Sequence, residues 1–294
     1  MSRWQSFKQA LFGKPIATKH AHSERLPKRF GLPVMASDAL SSVAYATEEV
    51  MLILVLAGTA PLMFGAQPPY YWLLGICMAL VVLMGVVVFS YYQTIHAYPE
   101  GGGSYSVSRS NLGPFAGKVA GAALLIDYVL TVAVSVSAGT AALVSAFPIA
   151  QPYMVPIAVL AVLVLMYANL RGARESGIVF AVPTYTFIIS LGVMILWGVT
   201  RELTGGHEYK LVTEIPEAVA KLNHFHEGAP SWINALPLLF LLKAFSASCA
   251  ALTGVEAISN GVQAFQKPEA KNASMTLVIM AGLLAFLFVG VSWC

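Results

Sequence analysis

The stretch LLGICMALVVLMGVVVF, residues 73–89, decides the fold class of this chain. It holds no charged residue, and its apolar and polar positions do not alternate. With its apolar flanks it reaches the roughly 20 residues that an α-helix needs to cross a bilayer. A strand of a membrane β-barrel would instead alternate over about ten residues. The stretch therefore predicts a transmembrane α-helix.

The composition extends this interpretation to the whole chain. Of its 294 residues, 57% are hydrophobic and 11% are charged, whereas soluble domains carry about 25% charged residues. An all-α polytopic membrane protein is the class that this composition favours. We predict seven spans, over residues 32–57, 70–95, 117–146, 153–170, 177–200, 233–262 and 273–294.

Positive charge is distributed unevenly along the chain. Seven of the 17 Lys and Arg residues precede Phe30, and the links after the first and third spans contain none. A basic arm that binds nucleic acid is one interpretation, but apolar helices follow at once. The positive-inside rule then predicts a cytoplasmic N-terminus in a multi-pass protein of the plasma membrane, with lipid rather than nucleic acid as its partner.

The spans suggest an organisation into parts. We expect a basic cytoplasmic tail over 1–31, a five-span repeat over 32–200, an extracellular loop over 201–232 and the start of a second repeat over 233–294. Because many transporters consist of two inverted five-span repeats, we expect a C-terminally truncated chain. The three cysteines show no CxxC spacing, so they indicate neither a disulfide framework nor a metal site.

The first span carries a polar stripe that begins at Asp38. Asp38, Ser41, Ser42 and Tyr45 follow i, i+3, i+4, i+7 spacing, which places them on one helical face. A carboxylate inside a membrane is costly and usually functional. Carboxylate, hydroxyl and phenol oxygens suit a dehydrated hard cation. The serines alone also fit a seam between packed helices.

The third span carries a second stripe of oxygen-bearing residues. Asp127, Thr131 and Ser135 follow i, i+4, i+8 spacing, and Tyr128 is adjacent to Asp127. An aspartate bonded to backbone groups is the alternative to a ligand. Two such stripes on different helices predict a shared cation site.

The sixth span is rich in small residues from Ser246 to Gly261. Gly254 and Gly261 each weaken a helix by about 1 kcal/mol relative to alanine. An interrupted span in this position is the best sequence indication of a transporter's midplane site. Thr253 is therefore a candidate ligand, and Glu256 a candidate gate or proton carrier. For the glycines and serines, a close helix crossing is an equally good interpretation.

Two further motifs are weaker indications of function, and the sequence does not favour an enzyme. The run Gly101–Gly103 lacks the lysine and the preceding strand of a phosphate-binding loop, so we predict a hinge or re-entrant bend. His224, His226 and Glu227 fit a solvated loop better than a metal site. No catalytic spacing is present, so we expect neither an enzyme nor a cofactor.

Four stretches resemble a known transporter family: PVMASDALSSVAYATEE (33–49), YPEGGGSYSVSRSNLG (98–113), LLIDYVLTVAVSVSAG (124–139) and ALTGVEAISNGVQAFQKPEAKNA (251–273). They are similar to the amino acid–polyamine–organocation superfamily, and within it to the KimA-type potassium importers, close to the KUP group. The resemblance implies a LeuT-like fold of about twelve spans, a homodimer and proton-coupled potassium uptake. It also implies potassium ligands at Asp38, Tyr45, Asp127, Tyr128, Thr131, Ser135 and Thr253, and proton coupling or gating at Asp38 and Glu256.

Two other functions remain open at this point. An amino acid permease of the same superfamily would bind its substrate's carboxylate with exposed amides of a glycine-rich break in the first span. The corresponding stretch here, ASDALSSVAY (36–45), has no glycine, and Asp38 would repel a carboxylate. A channel or a membrane sensor that does not transport is the third possibility.

Overall fold

The structure is a computed structural model that describes residues 25–58, 69–170, 173–205 and 237–293. The basic residues before Arg25, loop residues 206–232 and the histidines at 224 and 226 lie outside these ranges. The α-helices are α1 (Lys28–Met35), α2 (Ser37–Gly58), α3 (Pro69–Ala97), α4 (Gly103–Leu112), α5 (Pro114–Ala146), α6 (Met154–Leu170), α7 (Ala173–Leu203), α8 (Pro237–Ser248), α9 (Val255–Asn260) and α10 (Glu269–Trp293). Short 3₁₀ helices cover Pro148–Tyr153, Cys249–Leu252 and Val262–Ala264.

Six helical segments of the described chain are long and apolar enough to cross a membrane. They are Trp72–Ala97, Pro114–Ala146, Pro148–Leu170, Phe180–Leu203, Leu241–Asn260 and Glu269–Trp293. These segments correspond to the second to seventh predicted spans, so the chain is a polytopic helical membrane protein. The first predicted span is not among them; its helix α2 carries the three carboxylates of Asp38, Glu48 and Glu49. A seventh span stays a prediction.

Two of the predicted spans are broken helices. The first predicted span forms α1 and α2, which are separated at Ala36 by a non-helical backbone with φ −121° and ψ −2°. The sixth continues from α8 through the 3₁₀ turn to Gly254, whose φ of +79° is left-handed, and resumes as α9. Glycine adopts this conformation without the steric cost of a Cβ. The predicted interruption of the sixth span is therefore confirmed.

The chain forms two compact units, which we describe separately. Of the described residues, the first comprises 25–41, 87–170, 173–187 and 253–282, and the second comprises 42–58, 69–86, 188–205, 237–252 and 283–293. In the second unit, α2, α3 and α8 share a buried apolar cluster of Val50, Leu54, Leu73, Ile76 and Ala244. Van der Waals packing of these side chains holds the three helices together.

Within the first unit, α4 packs closely along the start of α5. Gly117 and Gly121 lie one turn apart on α5 and contact Arg109 and Tyr105 of α4. A Cβ on Gly117 would lie 2.8 Å from the Arg109 Cβ. Small residues on α5 thus allow the close approach, as they do between other membrane helices.

The end of the N-terminal tail is also ordered within the first unit. Leu26 pairs with Phe265 in a parallel bridge, donating its N–H to the Ala264 carbonyl at 2.7 Å and accepting from the Gln266 N–H at 3.1 Å. Both Leu26 and Phe265 are fully buried, and Arg25 forms an ion pair with Glu269. The residues directly before α1 therefore attach to the segment after α9.

Candidate functional site

The two helix breaks meet at Asp38. Asp38 is the second residue of α2, where the helix dipole favours a carboxylate. A Cβ on Gly254 would lie 2.7 Å from Asp38 Oδ2 and 2.9 Å from the Ala39 nitrogen. The backbone of the sixth span thus approaches the first span more closely than any residue with a side chain would allow.

Asp127 and Ser135 of α5 lie close to the same carboxylate. Asp38 is within electrostatic range of Asp127, and the Ser135 hydroxyl lies beside it without a well-formed hydrogen bond. These are the chain's two aspartates. Two negative charges within electrostatic range of each other form an arrangement that attracts a cation.

The two aspartates differ in burial. Asp38 and Ser135 are half-buried, whereas Asp127 is exposed. Thr131, one turn after Asp127 on α5, is only 8% exposed. The described residues thus leave the Asp127 side chain largely uncovered.

Tyr128 links this pair to α9. Its phenol oxygen accepts a hydrogen bond from Asn260 Nδ2 at 2.5 Å. The same phenol is within electrostatic range of Asp38, Asp127 and Glu256. Tyr128 therefore interacts electrostatically with all three carboxylates.

Glu256 is held by two hydrogen bonds. Its Oε2 accepts from the Tyr91 hydroxyl at 2.9 Å, and its Oε1 accepts from the Ser104 backbone N–H at 3.0 Å. Ser104 lies in the first turn of α4, so the carboxylate satisfies one of that helix's free N–H groups. Sequence reasoning did not identify Tyr91 or Ser104 as site residues.

The run Gly101–Gly103 forms the turn that leads from α3 into α4. All three glycines have positive φ, at 83°, 90° and 42°, and the Gly102 N–H donates to the Asn260 carbonyl at 3.3 Å. The predicted bend is present, and its function here is to bring the backbone of α4 to α9. Asn260 was also missed, although its position four residues after Glu256 places both on one helical face.

Comparison with known proteins identifies the family of this chain. The model of the family described as amino acid permease matches residues 37–293. The chain belongs to the amino acid permease family. It is also 44% identical over 289 residues to the potassium transporter KimA of Bacillus subtilis (strain 168), an alignment that covers 98% of this chain and 44% of KimA. The predicted superfamily and the KimA likeness are confirmed, and the chain spans less than half the length of this relative.

The structure thus brings together most of the residues predicted for the site of this permease-family chain. Asp38 lies beside Ser135 and within electrostatic range of Asp127 and Tyr128, and Tyr128 is within electrostatic range of Glu256. The remaining predicted ligands are Thr131, Thr253 directly before Gly254, and Tyr45, which lies in the second unit. Among the described residues, no group of three or more His, Cys, Asp or Glu side chains is arranged to hold a metal ion.

Proposed function

We propose that this chain supplies ion-binding helices of a secondary transporter that imports potassium by proton symport and alternating access. The observation that carries this proposal is the Asp38 carboxylate where two broken helices meet, within electrostatic range of Asp127. The similarity to a protein named potassium transporter supports it. The proposal includes a seven-span portion of a LeuT-like inverted-repeat fold, a plasma-membrane location with the N-terminus in the cytoplasm, and a homodimer.

The chemistry of the site favours a monovalent cation. Two carboxylates give the site negative charge, while Ser135 and Tyr128 add neutral oxygens close to Asp38 and Asp127. Oxygen ligands of this kind replace the hydration shell of an alkali ion. Broken helices around a midplane site are the usual arrangement for binding and release in alternating access.

Proton coupling follows from the same electrostatics. A carboxylate in a dry site favours the protonated form when no cation lies beside it. A bound potassium ion would favour the ionised form of Asp38, so ion binding and proton release would be linked. Asp38 is the proposed proton carrier at the ion, and Glu256 is the second candidate.

An amino acid permease is the alternative, and the description of the matching family supports it. In that mode, free amides at the break of the first span bind the substrate's carboxylate. Here the break at Ala36 is followed by Asp38 in the first turn of α2. A carboxylate at this position repels a second one, so the arrangement favours a cation over an amino acid.

Rubidium tracer uptake by the protein expressed from its complete gene tests the proposal. The host lacks its own potassium uptake, and measurements are made at two pH values. We expect saturable, pH-dependent uptake that potassium inhibits and amino acids do not. Inhibition by leucine or glutamate instead would favour the permease.

Asp127→Asn is the decisive variant. It keeps the side chain's size and removes the charge, so we expect rubidium uptake to fall at least tenfold. Glu100→Gln is the matched control, because Glu100 is exposed in the turn after α3. Equal uptake by the two variants would exclude Asp127 as an ion ligand.

A further inference from the structure

Asn260 is not among the predicted ion ligands, yet it forms hydrogen bonds to one of them and to the glycine turn Gly101–Gly103. Its Nδ2 donates to the Tyr128 phenol at 2.5 Å, and its backbone carbonyl accepts from the Gly102 N–H at 3.3 Å. It ends α9, the helix that begins directly after the break at Gly254. One residue therefore contacts a proposed ion ligand and the glycine turn.

The Asn260 amide also faces Glu256. A Cβ on Gly103 would contact Asn260 Oδ1 and would lie 2.9 Å from Glu256 Oε1, so both oxygens lie against this glycine. Asn260 Oδ1 is buried and has no hydrogen-bond partner. Two acceptor oxygens thus lie close together, with no donor from this amide directed at Glu256.

Rotating the amide by 180° would satisfy both neighbours. The Tyr128 hydroxyl would then donate to Oδ1, and the amide NH₂ would point towards the Glu256 side. The two orientations have nearly the same shape, and the hydrogen-bond network decides between them. In either orientation the Asn260 amide forms a hydrogen bond with the Tyr128 phenol. In the rotated one the lone pairs of the phenol oxygen stay free for a cation.

Packing against the described residues covers the Tyr128 ring only in part, because that residue is 39% exposed. Its hydrogen bond to Asn260 therefore adds a restraint on the orientation of the phenol. A ligand oxygen that is held in place before the ion arrives costs less ordering entropy on binding. Loss of that bond should weaken ion affinity more than the rate of transport.

We propose that Asn260 is a positioning residue that acts through Tyr128, holding the phenol oxygen near Asp38 and Asp127 and connecting it to the glycine turn. This inference rests on the proposed cation transport. It assigns Asn260 no direct contact with the ion. Its function is to keep the orientation of the neighbouring phenol.

The test compares two asparagines that make the same kind of bond. Asn260→Ala removes the amide from Tyr128, and Asn111→Ala removes an exposed amide that donates to the Tyr98 phenol at 2.8 Å. In rubidium uptake by the complete protein, we expect Asn260→Ala to raise KM about tenfold with Vmax within about twofold. A tenfold change corresponds to about 1.4 kcal/mol, the size of one hydrogen bond. Asn111→Ala should keep the wild-type KM.

A double-mutant cycle separates positioning from general support of the fold. Tyr128→Phe should raise KM about as much as Asn260→Ala, and the double variant should be no worse than either single variant. If Asn260→Ala still raises KM tenfold in the Tyr128→Phe background, the residue does not act through Tyr128 and the inference is overturned. Asn260→Ser, which is too short to reach the phenol, replaces Asn260→Ala if the latter is poorly inserted.

Rubidium uptake by the wild-type protein distinguishes a failure of the proposed function from a failure of the role proposed for Asn260. Wild-type protein without saturable rubidium uptake overturns the proposed function and this inference with it. Wild-type uptake together with equal KM values for Asn260→Ala and Asn111→Ala overturns the inference alone.

Discussion

Gly254→Ala tests the contact on which the candidate site depends. Gly254 has a φ of +79°, and an added Cβ would lie 2.7 Å from Asp38 Oδ2 and 2.9 Å from the Ala39 nitrogen. The first neighbour is the short side chain of a proposed ligand, and the second is helix backbone. The carboxylate can withdraw only by rotating away from its present position, and the Ala39 nitrogen only by moving the first turn of α2.

The expected magnitude follows from these two effects. A non-glycine residue in the left-handed region costs about 1–2 kcal/mol. Ordinary contact begins near 3.4 Å, so the carboxylate would have to move by about 0.7 Å. Overpacking of this kind typically costs about 1–3 kcal/mol. Together they predict a penalty of about 2–5 kcal/mol, enough to displace Asp38 or to reshape the break.

The assay combines ion affinity with stability. We expect Gly254→Ala to raise the rubidium KM at least tenfold in the complete protein and to lower Tm of the purified protein. Gly139→Ala is the matched control, because an added Cβ in this part of α5 meets no atom within 4 Å. A Gly254→Ala protein with the KM and Tm of Gly139→Ala would refute the close approach of the two breaks.

Two further predictions concern the carboxylates. Asp38→Asn should flatten the dependence of rubidium uptake on pH, because it removes the proposed proton carrier; an unchanged pH profile would exclude that role. Tyr91→Phe should lower Tm, since a hydrogen bond to a charged group contributes about 1.5–3 kcal/mol. Tyr92→Phe, at an exposed neighbouring position, should not; equal Tm values for the two would mean that the Tyr91 bond to Glu256 contributes nothing to stability.

The sequence predicted the helices well because each span is a local property. Long apolar runs identified the second to seventh spans, and the glycine at 254 indicated the break in the sixth. The break in the first span was less visible. The predicted span began at residue 32, whereas α1 starts at Lys28 and the chain breaks at Ala36, which no glycine marks. The breaking residue became apparent only in the structure.

The partners of the site residues depended on tertiary packing and were harder to predict. Helical spacing placed Asp127 and Ser135 on one face of α5 but carried no information about which helix that face meets. Glu256 bonds to Tyr91 and Ser104, which are 165 and 152 positions away in the sequence. Leu26 and Phe265 likewise pair across the chain. Such pairs leave no periodic signal, because each partner is one polar or apolar residue among many.

The contacts of Glu256 connect its two predicted roles, gating and proton carriage. As a carboxylate it accepts hydrogen bonds from Tyr91 and Ser104 and so joins α9 to α3 and to the start of α4. Protonation removes the charge and weakens both bonds, since charge-assisted hydrogen bonds are about twice as strong as neutral ones. A proton on Glu256 would therefore loosen the contact between α9 and the glycine turn. If Glu256 carries the proton, proton binding and gate release are one event, and Tyr91→Phe should alter the pH profile of uptake as well as Tm.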